Sequence, residues 1–476
     1  MNTVIQRSGS CSLSIDFRSS CAWDKQFEDI SFLPRIKEIS VDDRMVHNLQ
    51  LSAPWASGLE ILRVCGDEDF ETLTMHSGSG DYIARVNEQH LPNLPFYSYI
   101  LNLCSLKSPN LRYLSLTNCC ISMEGFPNLE HLEIYHGPCD RDHHFVSSWA
   151  SIIRCLPRLK VFSIDRAMKW DTSCRNLLAA TPPVTQLHDL RINRCSPACA
   201  TLLRIFSPQP RSLQLTFTDL HYDEEFKLFC DALQAWFRAW EADTPNMYLY
   251  VSIQPEGIIV HNRSTRTRQE CTTDAESSPS LQLVLYWNGC GLDLISALLN
   301  SVSTLEPHPD SAFYSLASPL TRGCEELELS VGLFNYEDEA FRSVVVEFLS
   351  RFGDVKKLTC IGDAAAMLTS LSSKERQAGD VTLFLLLKDL CFDHVNFKDR
   401  LRKKVTDFLQ HLCQPVGNVV LSGCHNVSQS FITSLGCTCA KVVLSNDTVI
   451  VDGDCRGNVK VERVPWTKDQ VKVSLT

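Results

Sequence analysis

The sequence has no long hydrophobic run. Its longest tightly apolar stretch, LFLLL at 383–387, is far shorter than the roughly 20 residues that a membrane-spanning helix requires. The first residues lack the apolar core of a secretory signal, so none is predicted. Net positive charge is also missing, because 45 Lys and Arg stand against 56 Asp and Glu, a balance of −11. Phosphate backbones and anionic lipids repel such a chain, so neither nucleic acid nor a membrane is predicted as a partner.

Cysteine, by contrast, is abundant, with 22 residues scattered along the chain. In a small secreted domain such a number would indicate disulfide bonds, but here the chain is long and no secretory signal precedes it. We therefore predict buried free thiols that pack as small hydrophobic groups in a reducing compartment. The predicted localisation is cytoplasmic or nuclear.

Motifs for catalysis and metal binding are missing as well. The stretch HGPCDRDHHF (136–145) has one cysteine beside its histidines and no cysteine knuckle, which favours a surface loop over a zinc site. Cys195 with Cys199, and Cys437 with Cys439, have no second pair of cysteines nearby that could complete a zinc site. The stretch HSGSGD (76–81) lacks the lysine of a phosphate loop. We predict no catalytic residue, no metal and no cofactor, with an enzyme kept as a remote alternative.

A repeated pattern runs through most of the 476 residues. Four segments share a proline, one further residue and then an aliphatic residue, followed by x-x-apolar-x-apolar. These segments are LPRIKEISV (33–41), SPNLRYLSL (108–116), FPNLEHLEI (126–134) and LPRLKVFSI (156–164). Six looser copies are SGLEILRV (57–64), TQLHDLRI (185–192), PRSLQL (210–215), CEELELSV (324–331), DVKKLTCI (354–361) and LLKDLCF (386–392). Ten copies indicate a repeat architecture.

The spacing L-x-x-L-x-L is typical of a short strand in a parallel ladder. Its last two apolar residues point inward, while the residues between them point outward. The repeats are unevenly spaced: the gap from Leu62 to Leu114 is 52 residues, whereas the gap from Ile39 to Leu62 is 23. We therefore expect one degenerate repeat inside the longer gap.

Amphipathic helices are predicted before several of these strands. Residues 341–353 and 401–412 each place apolar side chains on one face, and residues 149–156 do the same before the strand near Leu159. The predicted fold is therefore α/β: an irregular leucine-rich-repeat solenoid, a horseshoe-like arc with short parallel strands on its concave side and helices and turns on its convex side.

The pattern is interrupted in the middle of the chain. Residues 223–240 predict a helix, MYLYVSI (247–253) and IIVHN (258–262) an antiparallel hairpin, and residues 263–280 a polar loop. The predicted domains are an N-terminal repeat arc at 1–220, an insertion of helix, hairpin and polar loop at 221–290, a C-terminal repeat arc at 291–455 and a tail at 456–476. Whether the two arcs form one solenoid is left open.

Several stretches resemble a known family. These are QRSGSCSLSIDF (6–17), SAPWASGLEILRV (52–64), SPNLRYLSLTNCCI (108–121), FPNLEHLEIYHGP (126–138), LKDLCFDHVNF (387–397) and VVLSGCHNVSQSFITSLGCTCAKVVL (419–444). The chain is similar over roughly residues 6–450 to basidiomycete fungal F-box proteins with irregular leucine-rich repeats. In that family an R-S-G-S-x-P-L-S-L-like stretch begins the repeats, and Ser12 stands here where proline is common.

The resemblance implies a function. In the family an F-box holds a Skp-type adaptor of a cullin–RING ubiquitin ligase, and the repeats present a protein for ubiquitination. No F-box-like helical opening precedes Ser12, and the strand SLSIDF (12–17) is expected to be a poorly capped edge. The expectation is a protein-binding leucine-rich-repeat module, the substrate-recognition part of an SCF receptor that lost or lacks its F-box. The Skp-type adaptor and the cullin would be partners of this chain only if an F-box is supplied upstream. The alternative is a non-degradative scaffold or decoy.

The repeats also predict where a protein partner of unknown identity would bind. The residues between the inward positions of each strand would line the concave sheet, and Tyr, Arg and His beside carboxylates are typical of protein interfaces. The candidates are Arg63, Tyr113, Ser115, Thr117, His131, Glu133, Tyr135, Asp165, Asp189, Arg191, Asn193, Glu326, Glu328, Asp389 and Asp393. The simpler alternative is that many of them are merely solvated strand positions.

Overall fold

The chain divides into two compact units, Met1–Phe217 and Thr218–Thr476. Both units are α/β, and each is built on an open, mostly parallel run of strands. The computed structural model describes residues 11–16, 35–42, 58–65, 110–117, 126–135, 144–166, 168–169, 187–220, 224–240, 247–254, 257–264, 280–287, 323–332, 345, 348–374, 384–410, 412, 414–445, 448 and 461–464. None of its helices in these ranges has the length and apolar character needed to cross a bilayer.

The first unit contains a parallel ladder in which each strand pairs with the next one listed. Its strands are β1 (Leu13–Asp16), β2 (Ile36–Asp42), β3 (Ile61–Cys65), β4 (Tyr113–Thr117), β5 (His131–Tyr135), β7 (Val161–Asp165), β9 (Asp189–Asn193) and β10 (Ser212–Leu220), whose residues up to Phe217 belong to this unit. Two short strands, β6 (His144–Phe145) and β8 (Met168–Lys169), form a separate parallel pair. Helix α1 spans Val146–Arg154, and a 3-10 helix spans Pro197–Ile205.

The core of the first unit consists of equivalent apolar residues from successive strands. In β5, Leu132 and Ile134 are buried, and Leu129 fills the turn that enters the strand. The same three positions are buried in the neighbouring strands, as predicted from the L-x-x-L-x-L spacing. Helix α1 covers part of this core, with the Trp149 ring centroid 5.6 Å from that of Phe162 in β7. The large apolar side chains are what hold the strands in one register.

The second unit combines a hairpin with a second parallel run. Strand β12 (Gly257–Ser264) pairs antiparallel with β11 (Met247–Gln254) on one side and with β13 (Ser280–Trp287) on the other. The hairpin predicted for 247–262 is therefore confirmed. Strand β11 also pairs in parallel with β14 (Cys324–Val331). The parallel run continues through β15 (Lys357–Gly362), β16 (Asp389–Asp393), β17 (Asn418–Ser422), β18 (Lys441–Ser445) and β19 (Val461–Val464).

Helices accompany this second run. Helix α2 spans Glu224–Trp240, where a helix was predicted at 223–240, and it buries Phe226, Phe229 and Leu233. Three further helices are α3 (Ala364–Lys374), α4 (Asp399–Gln410) and α5 (Gln429–Thr438), with α3 packed on α4 and α4 on α5.

Left-handed turns end several of the parallel strands. Arg166, Arg194, His394 and Gly423 each follow a strand directly and have φ between 50° and 57°. The amide of Arg166 donates to the carbonyl of Asn193 on the next strand at 2.9 Å, and the amides of Arg194 and His394 make the corresponding bonds. The amide of Gly423 donates instead to the hydroxyl of Ser445 at 3.1 Å. An ordinary L residue has a strained backbone at such φ values, so the interstrand hydrogen bonds must offset that strain.

The 52-residue gap was expected to contain one degenerate repeat, but it adds no strand to the ladder between β3 and β4. Strand β3 pairs directly with β4, so Leu62 lies beside Leu114 and no strand stands between them. The residues 66–109 themselves lie outside the described part of the chain. All ten segments found by spacing, in contrast, contain a strand of one of the two parallel runs.

Candidate functional site

The register of the first unit arranges the predicted residues in three rows across the sheet. The first row is Ile61, Tyr113, His131, Val161 and Asp189; the second is Arg63, Ser115, Glu133, Ser163 and Arg191; the third is Cys65, Thr117, Tyr135, Asp165 and Asn193. We call these rows the N-terminal face. Its members are half-buried or buried rather than fully exposed. Ser115, Ser163 and Asp165 are its buried members.

One edge of the N-terminal face is a chain of polar contacts. The Arg63 guanidinium donates to Glu38 of β2, and the Ser14 hydroxyl of β1 donates to the same carboxylate at 2.9 Å. The Arg63 guanidinium carbon also lies 5.1 Å from the centroid of the Tyr113 ring, a cation–π distance. Four strands, β1 to β4, are thereby joined by side chains as well as by backbone.

Glu133 occupies the middle of the second row. Its Oε2 accepts a hydrogen bond from the Tyr113 hydroxyl and another from the Tyr135 hydroxyl at 3.1 Å. Burial raises the pKa of Tyr135 to about 12, and the negative charge of Glu133 adds to this rise. Burial and Glu133 raise the pKa of Tyr113 in the same direction. Both hydroxyls therefore remain protonated donors at neutral pH.

The far end of the N-terminal face pairs acids with arginines. Arg191 donates from Nε to Asp189 Oδ2 at 3.0 Å, and this contact raises the pKa of Arg191. Asp165 is buried and receives two hydrogen bonds from Arg194, one of them from Nε at 2.9 Å. Arg194 sits in one of the left-handed turns, so Asp165 helps to hold that turn and contributes structure as well as surface.

The second unit has a corresponding polar surface. Its outward residues on β14 and β16, Glu326, Glu328, Asp389 and Asp393, are all half-buried. In the register of the parallel strands, Glu326 on β14 pairs with Lys357 on β15, and Lys357 pairs with Asp389 on β16. We call these outward positions of β11 and β14–β18 the C-terminal face.

Contacts on the C-terminal face again cross between strands. Lys357 Nζ contacts Glu326 Oε2 at 3.1 Å, and Asn418 Nδ2 donates to Asp389 Oδ1 at 2.6 Å. The Tyr248 hydroxyl of β11 donates to Glu328. Burial raises the pKa of Glu328, against the effect of that hydrogen bond.

Asp393 and Cys391 lie beside each other along β16. Asp393 Oδ1 is buried without a hydrogen bond from the described residues, although His394 Nδ1 lies 3.3 Å from it. Burial raises the pKa of the Cys391 thiol to about 12, and the charge of Asp393 acts in the same direction. The thiolate is therefore suppressed, which makes Cys391 a poor nucleophile.

Three contributors to these faces were missed at the sequence level. Glu38 and Lys357 are the outward residues of LPRIKEISV and DVKKLTCI, so the repeat register alone could have found them. Tyr248 lies in MYLYVSI, which the sequence assigned only to a hairpin. That β11 pairs in parallel with β14 depends on tertiary structure and has no local signal.

The other motifs raised by the sequence lie mostly outside the described residues. That is the case for 76–81 and for His136, Cys139 and His143, whereas His144 belongs to β6. Cys195 and Cys199 are buried thiols outside any disulfide. Within the described ranges, no three His, Cys, Asp or Glu side chains are grouped to hold a metal ion.

The free thiols should fall into two classes of reactivity. Cys155 and Cys437 are exposed, whereas burial raises the pKa of Cys324 to about 12 and that of Cys424 to about 11. At pH 8 we expect iodoacetamide to label the first pair within minutes and the second pair only after unfolding. Peptide mass spectrometry at successive times measures this, and early labelling of Cys324 or Cys424 would show that the buried strands are assigned wrongly.

The Glu38 contact should appear in the acid stability of the first unit. Arg63, and to a smaller extent Ser14, lower the pKa of Glu38 below its ordinary value of 4.5. The carboxylate therefore stabilises the fold above about pH 4.5, and this contribution is lost as the pH falls through the lowered pKa. We expect Glu38→Gln to lower the melting temperature at pH 7 and to approach the wild type near pH 3. A gap that stays constant from pH 7 to pH 3 would contradict the contact.

Comparison with known proteins does not extend this picture. No family model matches the chain, and no curated protein matches it either.

Proposed function

We propose that the chain is a protein-binding leucine-rich-repeat module and the substrate-recognition part of an F-box-type ubiquitin-ligase receptor. The observation that carries the binding role is the N-terminal face, where tyrosines, arginines and carboxylates stand in three aligned rows. Their mutual hydrogen bonds fix these side chains before a partner arrives, which lowers the entropic cost of binding. Tyr and Arg are also the residue types that most often dominate protein interfaces.

The ligase part of the proposal is supported by the sequence resemblance to fungal F-box proteins. Leucine-rich repeats in that setting present one protein to the ubiquitination machinery while the F-box holds the adaptor. The N-terminal face suits such a role because it is broad and polar and shows no catalytic arrangement among its described residues.

Co-precipitation tests this proposal. The protein, tagged at its own locus and expressed from its complete reading frame, should recover a Skp-type adaptor together with a client protein. The client should accumulate when the locus is deleted. Recovery of a client without adaptor, at unchanged client abundance, would replace the ligase role by a non-degradative scaffold. Recovery of neither would refute the binding module itself.

A further inference from the structure

Glu133 has a distinctive position on the N-terminal face. It lies at the centre of the second row, which reads Arg63, Ser115, Glu133, Ser163 and Arg191 across five neighbouring strands. The adjacent strands place only serines beside it, so no bulky or charged group stands on either side in the row. With strands about 4.8 Å apart, the backbone of each arginine of the row stands roughly 10 Å from that of Glu133.

The charges around Glu133 are already paired. The other carboxylates of β2–β9 that have described side-chain contacts each bind an arginine. These pairs are Glu38 with Arg63, Asp165 with Arg194 and Asp189 with Arg191. Each of these pairs is neutral, which leaves Glu133 as the carboxylate of β3–β9 without an ion pair among the described side chains.

Among the described residues, Glu133 forms hydrogen bonds only with uncharged groups, although the positive charge of Arg191 lies near enough to interact with it. Both tyrosine hydroxyls bind its Oε2, and neither Arg63 nor Arg191 forms a hydrogen bond or ion pair with it. Within the described part of the chain no hydrogen bond to Oε1 is found. Hydrogen bonds that involve a charged group are stronger than neutral ones, so a cationic donor would complete this carboxylate best.

The tyrosine rings also suit a cation. Arg63 already lies over the Tyr113 ring, which shows that this environment tolerates a cation against an aromatic face. Tyr135 offers a second, half-buried ring beside the same carboxylate. Two tyrosines thus stand beside this carboxylate, and a cation that pairs with the carboxylate gains a further cation–π contact where it lies over an aromatic face.

We propose that Glu133, Tyr113 and Tyr135 form a subsite for one lysine or arginine side chain of the protein partner. This inference rests on the proposed function, since it specifies what the binding face selects. The partner would carry a basic residue in an exposed segment. Glu133 would repel an acidic residue at the same place, and the neighbouring charges are already paired and would not offset that repulsion.

A peptide array tests the subsite with the full chain. The probes are dodecapeptides that are identical except for Lys, Arg, Gln or Glu at one central position. The variants are Glu133→Gln and, as a matched control, Glu130→Gln. Glu130 pairs with Lys160 at 2.8 Å and precedes the strand, so this change removes the same charge away from the face. Thermal melts establish that both variants fold.

We expect the wild type to bind Lys and Arg peptides over Gln and Glu peptides. Glu133→Gln should reduce that binding about ten-fold, because a charged hydrogen bond is lost, and Glu130→Gln should reduce it less than two-fold. Tyr135→Phe keeps the ring and the carboxylate and should retain binding. Equal losses in Glu133→Gln and Glu130→Gln, or no preference for basic peptides, would overturn the subsite. The co-precipitation result would stand separately, because a client can bind the face without using Glu133.

Discussion

Replacing Phe162 by alanine should lower the free energy of unfolding of the first unit by about 3–5 kcal/mol. Phe162 is the first inward residue of β7 and is fully buried, with its ring against Trp149. Its register partners are Leu132 on β5 and Leu190 on β9, both fully buried. Truncation leaves a cavity in the layer that joins three strands to helix α1, and a close-packed layer relaxes only partly. Urea unfolding followed by circular dichroism measures the loss.

The neighbouring residue provides the matched control for Phe162. Val161 is on the same strand and points to the N-terminal face, where it is half-buried. Val161→Ala should cost less than about 1 kcal/mol, since only part of its apolar surface is removed from water by folding. A loss for Val161→Ala equal to that for Phe162→Ala would show that the inward and outward positions are assigned wrongly.

Replacing Gly257 by alanine should destabilise the second unit by about 1–3 kcal/mol. Gly257 begins β12, where it pairs with Gln254 on β11 and with Tyr286 on β13. A methyl group there would overlap the carbonyl oxygen of Leu285 and lie 2.8 Å from Tyr286 Cδ1. Because backbone cannot rotate away as a side chain can, the strands of the hairpin and β13 must separate.

Gly353 is the control for this substitution. It lies before β15 in the same unit, and a methyl group there meets nothing within 4 Å. Gly353→Ala should change the free energy of unfolding by no more than about 0.5 kcal/mol. Hydrogen exchange of the β12 amides should accelerate in Gly257→Ala alone. Unchanged exchange in both variants would contradict the close approach of β12 and β13.

The regular part of the fold could be predicted from the sequence because it repeats. A strand with alternating inward and outward residues leaves the same apolar spacing in each copy, so ten strands were located. The order of Arg63, Ser115 and Glu133 in one row follows from that register alone. The prediction of a further repeat in the 52-residue gap was wrong because it assumed an average repeat length. Strands β3 and β4 pair directly with each other.

The contacts between side chains could not be predicted in this way. That Asp165 holds Arg194, or that Glu133 binds two tyrosines, depends on rotamers and on which strands become neighbours. The left-handed turns at Arg166, Arg194 and His394 carry no glycine, so the usual sequence signal for positive φ is missing. These contacts determine which predicted residues serve the structure and which remain available to a partner.

Site-specific photo-cross-linking tests the central claim, that the outward rows of the parallel strands bind a protein. The photoreactive residue p-benzoylphenylalanine is placed at Val161 on the N-terminal face or, as a control, at Arg158, which is exposed in the turn before the same strand. In cells, we expect the residue at position 161 to form a discrete cross-link to one protein, and we expect no such cross-link from position 158. The same bands from both positions, or none from position 161, would contradict it.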